Sequence, residues 1–164
     1  MAQRTVSLGG LAGLALLGAL LSLSPAESQP PSLPKVGPGR GKCNLQGMWV
    51  NDLGSRMFIG PLNAAGQFSG YYLAAVSAAP NAAIRESPLH GTQHPNPPRS
   101  QPTFGFSVNW SFYDSTTVFV GQCFVDENGD EFLEATWLLR EEVATHADNW
   151  KATRVGQNVY VRVR

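Results

Sequence analysis

Residues 103–112 read TFGFSVNWSF, and they carry the clearest structural pattern in the chain. Every second residue is apolar, in the order Phe104, Phe106, Val108, Trp110 and Phe112. Because successive side chains of a strand point to opposite faces, this pattern gives a strand with one wholly apolar face that must be buried. The stretch therefore predicts a strand over 103–112 whose inner face lies in the core of a sheet.

Shorter strand-like segments continue on both sides of this stretch and alternate with turn signals such as Asp52-Leu53-Gly54 and Asn128-Gly129. The predicted strands cover residues 45–51, 56–60, 67–73, 87–93, 103–112, 116–125, 131–140 and 150–162. Even spacing without a three-turn helix predicts an all-β fold. Gly47-Met48-Trp49 favours an eight-stranded antiparallel up-and-down β-barrel over a sandwich, and a barrel of that size can hold one small ligand.

The amino-terminal segment has the composition of an export signal. Arg4 precedes an apolar run over 8–23, and small residues follow at 24–26, so residues 1–26 are predicted to be a signal peptide. Residues 27–41 are rich in proline and are predicted to form a flexible tail. The barrel domain would then span 42–164 of a secreted, extracellular protein.

The charge balance limits the kinds of ligand that suit this chain, and the cysteine content indicates a disulfide. The chain has 12 basic and 12 acidic residues, which gives no field suited to nucleic acid, and no segment suited to a membrane anchor. A small neutral ligand fits this balance better. Only Cys43 and Cys123 are present, and in an exported chain they are predicted to form one disulfide.

Aromatic and polar residues occur together along the predicted strands. The four tryptophans lie on different strands or strand starts, and each one alone would more often fill the core than bind a ligand. The polar residues at strand ends on the same faces are Asn51, Ser55, Tyr72, Ser77, Ser115, Thr117 and Asn158. Buried hydroxyls and amides need partners, and an apolar barrel interior offers few, so a bound ligand could supply them. An aromatic pocket with a few neutral donors suits a small uncharged ring bearing heteroatoms.

An enzyme, a cofactor site or a metal site is not indicated. No Gly-x-Ser-x-Gly nucleophile motif is present. His90 and His94 have a metal-like spacing only on a helix, which the prolines at 95, 97 and 98 oppose, and His146 stands alone. Asn109-Trp110-Ser111 matches a glycosylation sequon, although the predicted burial of Trp110 stands against sugar attachment.

Several unbroken segments resemble the avidin family, over essentially all of residues 42–164. They are CNLQGMWVNDLGS at 43–55, ESPLHGTQ at 86–93, QPTFGFSVNW at 101–110, STTVFVGQCF at 115–124 and WKATRVG at 150–156. The near-neutral charge and WLLREEV at 137–143 look more like the yolk-type biotin-binding members than the strongly basic egg-white avidin.

The resemblance implies high-affinity biotin binding by a homotetramer. The matching residues for the ureido oxygen are Asn51, Ser55 and Tyr72, with Asn158 for a ureido nitrogen and Thr117 for the thioether sulfur. Those matching the walls around the bicyclic ring are Trp110, Phe112, Phe119 and Trp137, and Trp150 would close the pocket of a neighbouring subunit. Those matching the carboxylate contacts are Ser77, Ser115 and the backbone N–H groups of Ala78 and Ala79.

Some positions depart from the family pattern. Where this chain has Ala74 the family usually has a residue with a hydroxyl group, and where it has Tyr113 the family commonly has serine. Because these hydroxyl groups are missing, we expect biotin binding that is tight but weaker than in avidin. Thr136, Val155 and Gln157 replace a largely apolar subunit contact, which is expected to be weak. The alternatives are a lipocalin-like carrier of another small hydrophobic molecule and an interaction module without a ligand. Storage, transport and defence remain open as roles.

Overall fold

A computed structural model describes residues 42–77, 83–94 and 101–164 of the chain. The predicted signal peptide (1–26) and tail (27–41) lie outside these residues. The strands are β1 Gly47–Asn51, β2 Arg56–Ile59, β3 Gln67–Leu73, β4 Ser87–Gln93, β5 Thr103–Asn109, β6 Ser115–Val125, β7 Glu131–Glu141 and β8 Thr153–Arg162. One 3₁₀ helix, His146–Lys151, precedes β8. No helix among the described residues is long and apolar enough to cross a membrane.

Every strand pairs antiparallel with the next one along the chain, and β8 pairs with β1 to close the sheet. The predicted eight-stranded antiparallel up-and-down β-barrel is therefore confirmed. Closure leaves no open sheet edge, which removes the unpaired backbone groups that would otherwise invite association. The β1–β2, β3–β4, β5–β6 and β7–β8 connections share one end of the barrel, called here the open end. The start of β1 and the end of β8 lie at the other, closed end.

The prediction for the fifth strand is wrong at its carboxyl end. β5 ends at Asn109 rather than Phe112, because the chain reverses there. The backbone N–H of Trp110 donates to the Ser115 carbonyl at 3.1 Å, and the N–H of Tyr113 donates to the Trp110 carbonyl at 3.5 Å. The apolar alternation thus runs on into the β5–β6 turn, where Trp110 and Phe112 are half-buried at the open end.

The start of the last strand also differs from the prediction. Trp150 belongs to the 3₁₀ helix, and β8 begins at Thr153. The helix is closed by the N–H of Ala152, which donates to the Asn149 carbonyl at 3.2 Å. No helix residue is buried, so the helix holds the Trp150 side chain on the outside of its own barrel.

The closed end is filled by large side chains. The fully buried ones include Leu45, Trp49, Met57, Ile59, Leu89 and Leu133. The Trp49 indole N–H donates to the Leu45 carbonyl at 2.8 Å, and the Arg162 guanidinium lies 4.3 Å from the Trp49 ring centroid. Because this half of the interior is packed, a ligand can enter only from the open end.

A disulfide joins Cys43, ahead of β1, to Cys123 on β6. The predicted pairing is therefore confirmed. Both cysteines are buried in the core, with their Cα atoms 5.8 Å apart. The disulfide therefore links the segment that precedes β1 to strand β6.

Removing both cysteines, as Cys43→Ala with Cys123→Ala, should destabilise the barrel without changing its strands. The bond links residues 80 positions apart. Restricting a loop of that length in the unfolded chain stabilises a protein by about 4 kcal/mol. Thermal unfolding followed by circular dichroism should show a markedly lower midpoint for the double variant, and an equal midpoint would contradict this role.

Candidate ligand-binding site

Five polar side chains that the sequence predicted for a ligand site are buried on the inner face of the barrel. Bulk water does not reach them, because none is more than 8% exposed. They are Asn51 at the end of β1, Ser55 before β2, Tyr72 on β3, Thr117 on β6 and Asn158 on β8. The fold thus brings together five of the residues that the sequence predicted for a ligand site.

The β1–β2 turn holds the Asn51 side-chain amide in one orientation. Its Oδ1 accepts the backbone N–H groups of Leu53 at 3.0 Å and Ser55 at 2.8 Å. Because only the amide oxygen can accept two N–H donors, Nδ2 must face the opposite way. It lies 3.4 Å from the Tyr72 hydroxyl oxygen and donates to it. The turn therefore presents a fixed N–H donor to the barrel interior.

The Tyr72 hydroxyl is the second fixed group of the site. It lies 3.0 Å from the Tyr160 hydroxyl, and its ring contacts Trp110 edge-on and Phe119 face to face. Burial raises the pKa of Tyr72, and this outweighs the lowering by hydrogen bonds with Tyr160 and Ser55. The phenol therefore stays neutral at physiological pH and keeps its proton as a donor.

Ser55 completes this group. Its Oγ accepts the backbone N–H of Ala75 at 3.0 Å, which anchors the chain after β3 to the β1–β2 turn. That bond occupies an acceptor position and leaves the hydroxyl proton able to donate. Asn51, Ser55 and Tyr72 therefore form a set of uncharged donors, called here the neutral donor cluster.

Asn158 on β8 forms a second hydrogen-bonded arrangement. Its Nδ2 donates to the Asp52 carboxylate at 2.8 Å, and its Oδ1 accepts the Trp137 indole N–H at 2.9 Å. A carboxylate can only accept, so the amide oxygen must face Trp137 and the interior. A carbonyl oxygen has two lone pairs, so Asn158 can accept one further N–H group.

Thr117 and the aromatic side chains form the walls. The Trp110 indole N–H donates to Thr117 Oγ1 at 2.8 Å, which leaves the threonine proton free to turn toward a ligand. The Trp137 indole packs over Gly156 of β8, where any Cβ would overlap the ring. Glycine at this position is therefore required for the indole to lie flat against the strand.

A cavity of about 70 Å³ opens at the mouth of the barrel. It is lined by Ala74, Val76, Ser77, Trp110, Phe112, Tyr113, Ser115, Leu139 and Arg154. The predicted site residues Ser77, Ser115 and Phe112 therefore line the same cavity as Ala74 and Tyr113, the two residues that depart from the family pattern. Arg154 is held there by Glu141, whose carboxylate accepts from the guanidinium at 3.0 Å and lies 3.4 Å from the Tyr113 hydroxyl.

Trp150, Ala78 and Ala79 are the remaining predicted site residues. Trp150 is 83% exposed and does not line the cavity. Ala78 and Ala79 lie outside the described residues. Conversely, the sequence prediction missed Tyr160, Asp52 and Arg154. Tyr160 had a usable signal, because it lies two positions after Asn158 on one strand and so shares its inward face.

The buried polar groups do not need a ligand to supply missing hydrogen-bond partners. Within the described part of the chain, every buried side-chain nitrogen and oxygen already has a partner. The polar groups satisfy one another through Tyr72, Tyr160, Asn158 and Trp137 while leaving donor and acceptor positions for a ligand. The site is therefore held in position before any ligand arrives.

The remaining sequence candidates lie outside this site. His90, His94 and His146 are exposed, and no group of three or more metal-ligating side chains occurs among residues 42–77, 83–94 and 101–164. Asn109 is exposed at the end of β5, and its Oδ1 accepts the Thr116 hydroxyl at 2.9 Å. Burial of the Trp110 ring therefore does not bury the sequon asparagine.

A closed eight-stranded barrel with one packed end, and a buried set of uncharged polar groups behind an aromatic mouth, defines a protein that encloses one small molecule. The Avidin family profile matches residues 40–163. The chain belongs to the avidin family. This membership favours the avidin-like prediction over the lipocalin-like carrier.

Individual relatives agree with the family match. The chain is similar to avidin of Gallus gallus, 57% identical over 135 residues that cover 81% of this chain and 88% of avidin. It is 53% identical to avidin-related protein 1 of Gallus gallus over the same shares. Among solved structures, a biotin binding protein from chicken has a TM-score of 0.72 and 62% identity, covering 75% of this chain and 98% of that one. Xenavidin has a TM-score of 0.70 and 48% identity, covering 74% and 99%.

Alkaline pH should destabilise the folded protein through its buried phenols. Burial raises the pKa of both Tyr72 and Tyr160, and the nearby Tyr72 raises that of Tyr160 further. Above about pH 10, tyrosines of the unfolded chain lose protons that these two retain, so the free energy of unfolding falls as pH rises. Each such group contributes about 1.4 kcal/mol per pH unit in that range.

Thermal unfolding measured from pH 8 to pH 11 tests this linkage. The unfolding midpoint should fall more steeply above pH 10 in the wild type than in Tyr160→Phe, which has one buried phenol fewer. Parallel pH profiles for the two proteins would contradict the assignment.

Proposed function

We propose that this chain is a non-enzymatic, high-affinity biotin-binding protein that takes one biotin into each barrel. The observation that carries the proposal is the neutral donor cluster, since Asn51, Ser55 and Tyr72 offer three uncharged donors in a site closed to water. Membership of the avidin family and the 62% identity to a biotin binding protein from chicken support it.

The chemistry of a cyclic urea suits this cluster. The ureido oxygen carries more negative charge than an ordinary ketone oxygen, and donors fixed around it in a dry site strengthen that polarisation. Neutral donors avoid the large cost of burying an ion without a partner. The Asn158 Oδ1 can accept a ureido N–H, and the Thr117 hydroxyl can meet the thioether sulfur.

The walls and the mouth would bind the rest of the molecule. Phe119 and Trp110 contact Tyr72 directly, so the bicyclic ring would lie among Trp110, Phe112, Phe119 and Trp137. The valeryl chain would run through the mouth cavity. Its carboxylate would meet Ser77, Ser115 and the backbone N–H groups of Ala78 and Ala79.

Assembly would complete the site. Val118 on β6 and Leu138 on β7 are paired in register and are both 44% exposed, which forms a short apolar row on the outer face of the barrel. A row of this kind, with the exposed Trp150, supports a homotetramer in which Trp150 closes a neighbouring pocket. The smaller subunit contact, formed by Thr136, Val155 and Gln157, would be weak.

Secretion is proposed from residues 1–26 as signal peptide, with 27–41 as a flexible tail before the barrel domain at 42–164. The Cys43–Cys123 disulfide supports an oxidising, extracellular setting. Outside the cell, a tight binder of this kind would sequester, store or transport the vitamin.

Trp150→Ala tests the shared site. Biotin should dissociate at least tenfold faster, because the variant loses an aromatic side chain that covers bound ligand, a contact worth more than about 1.4 kcal/mol. The measurement is displacement of labelled biotin by excess unlabelled biotin, with light scattering to report the oligomeric state. Lys151→Ala, on the same helix, is the control and should leave the rate unchanged. An unaltered rate in a tetrameric Trp150→Ala protein would contradict the proposal.

Affinity below that of avidin is proposed from Ala74 and Tyr113. Ala74 packs half-buried against the core beside the cluster, and the Tyr113 ring lines the mouth where a small hydroxyl is common in the family. Each lost hydrogen bond weakens binding by about 1 kcal/mol.

Ala74→Thr should therefore slow biotin release by about fivefold, because it returns a hydroxyl beside the ureido ring. Ala74→Val adds the same volume without the hydroxyl and serves as the matched control. Equal dissociation rates for the two variants would show that hydrogen bonding at this position does not limit affinity.

A further inference from the structure

We infer that Tyr160 is a positioning residue of the site, because its hydroxyl donates to Tyr72 and thereby directs the single Tyr72 hydroxyl proton toward the ligand's acceptor oxygen. This inference rests on the proposed biotin site and names a residue that acts through Tyr72 without touching the ligand. The family resemblance assigned no role to Tyr160.

The fold brings Tyr160 beneath the neutral donor cluster. It is fully buried on β8, directly across the strand pair from Asn51 of β1. Its hydroxyl oxygen lies 3.0 Å from that of Tyr72, and the two rings meet edge-on with centroids 6.5 Å apart. Within the described residues, its hydroxyl interacts with Tyr72 and Asn51.

Donor and acceptor counts fix the direction of the Tyr72–Tyr160 hydrogen bond. A phenol has one proton and two acceptor positions. The Asn51 side-chain oxygen Oδ1 accepts the backbone N–H groups of Leu53 and Ser55. The part of the side-chain amide that faces the tyrosines is therefore the Nδ2 donor. The acceptor that remains for the Tyr160 proton is therefore the Tyr72 oxygen.

This direction determines the hydrogen bonds of the Tyr72 hydroxyl. Its oxygen accepts from Asn51 and from Tyr160, which fills both acceptor positions. Its own proton is then left to point at a ligand oxygen. Chains of hydrogen bonds polarise one another in a low-dielectric interior, so donation from Tyr160 also makes Tyr72 a stronger donor. Burial raises the pKa of Tyr160, which keeps its proton in place.

Tyr160→Phe removes only the hydroxyl and tests the inference. Loss of one buried, cooperative hydrogen bond should speed biotin dissociation by about tenfold. Tyr71→Phe is the matched control, since Tyr71 is the neighbour of Tyr72 on β3 and its hydroxyl contacts only the Met48 sulfur among the described residues, at 3.8 Å. The control should release biotin at the wild-type rate.

A general loosening of the barrel must be separated from positioning. We therefore combine Tyr160→Phe with Tyr72→Phe. If Tyr160 acts through the Tyr72 hydroxyl, its removal should have almost no further effect on the dissociation rate once that hydroxyl is gone. Tyr160→Phe should also increase the dissociation rate less for an analogue that carries sulfur in place of the ureido oxygen, because sulfur is a weak acceptor.

Two results would overturn the inference alone, in a wild type that binds biotin. One is an unchanged rate in Tyr160→Phe. The other is the same acceleration in the presence and absence of the Tyr72 hydroxyl, which would assign Tyr160 a purely structural role. A wild type that binds no biotin would instead overturn the proposed function, and this inference with it.

Discussion

The hydrogen bonds that hold the Asn51 amide determine the orientation of the rest of the site. Because two backbone N–H groups of one turn occupy its oxygen, the nitrogen must donate to Tyr72. The Tyr72 and Tyr160 hydroxyl oxygens lie 3.0 Å apart, and we infer that Tyr72 accepts from Tyr160 and keeps its own proton for a ligand. A single tight turn between β1 and β2 therefore fixes the donors of a cluster that is closed to water and carries no net charge.

The barrel makes this arrangement stable by dividing its interior. Trp49, Leu133 and other large side chains fill the closed end, and stacked rings at centroid distances of 6.0 and 4.5 Å lead from Phe104 through Phe106 to Phe119. Phe119 in turn stacks on Tyr72. Stacked rings therefore connect the packed interior to the base of the site, where most of the polar groups stand on strands and Ser55 lies in the β1–β2 turn.

Sequence reasoning recovers the strands and the inward-facing residues, because a period of two reports which side chains share a face. It fails where the chain leaves the strand period: the alternation at 110–112 continues through a turn, and Trp150 lies in a 3₁₀ helix. Pairs such as Tyr72 with Tyr160, 88 positions apart, or Asn158 with Asp52, 106 positions apart, depend on barrel register. Local patterns carry no information about that register, so the mutual saturation of the polar groups could not be foreseen.

We propose that an uncharged, preorganised donor cluster inside this barrel receives the oxygen of a cyclic urea. Isothermal titration calorimetry of the folded wild-type protein with biotin tests it most directly. We expect one biotin per chain, bound with a strongly favourable enthalpy, because the donors are fixed before the ligand arrives. Absence of both heat and saturation, in a protein whose circular dichroism shows an intact barrel, would contradict the account.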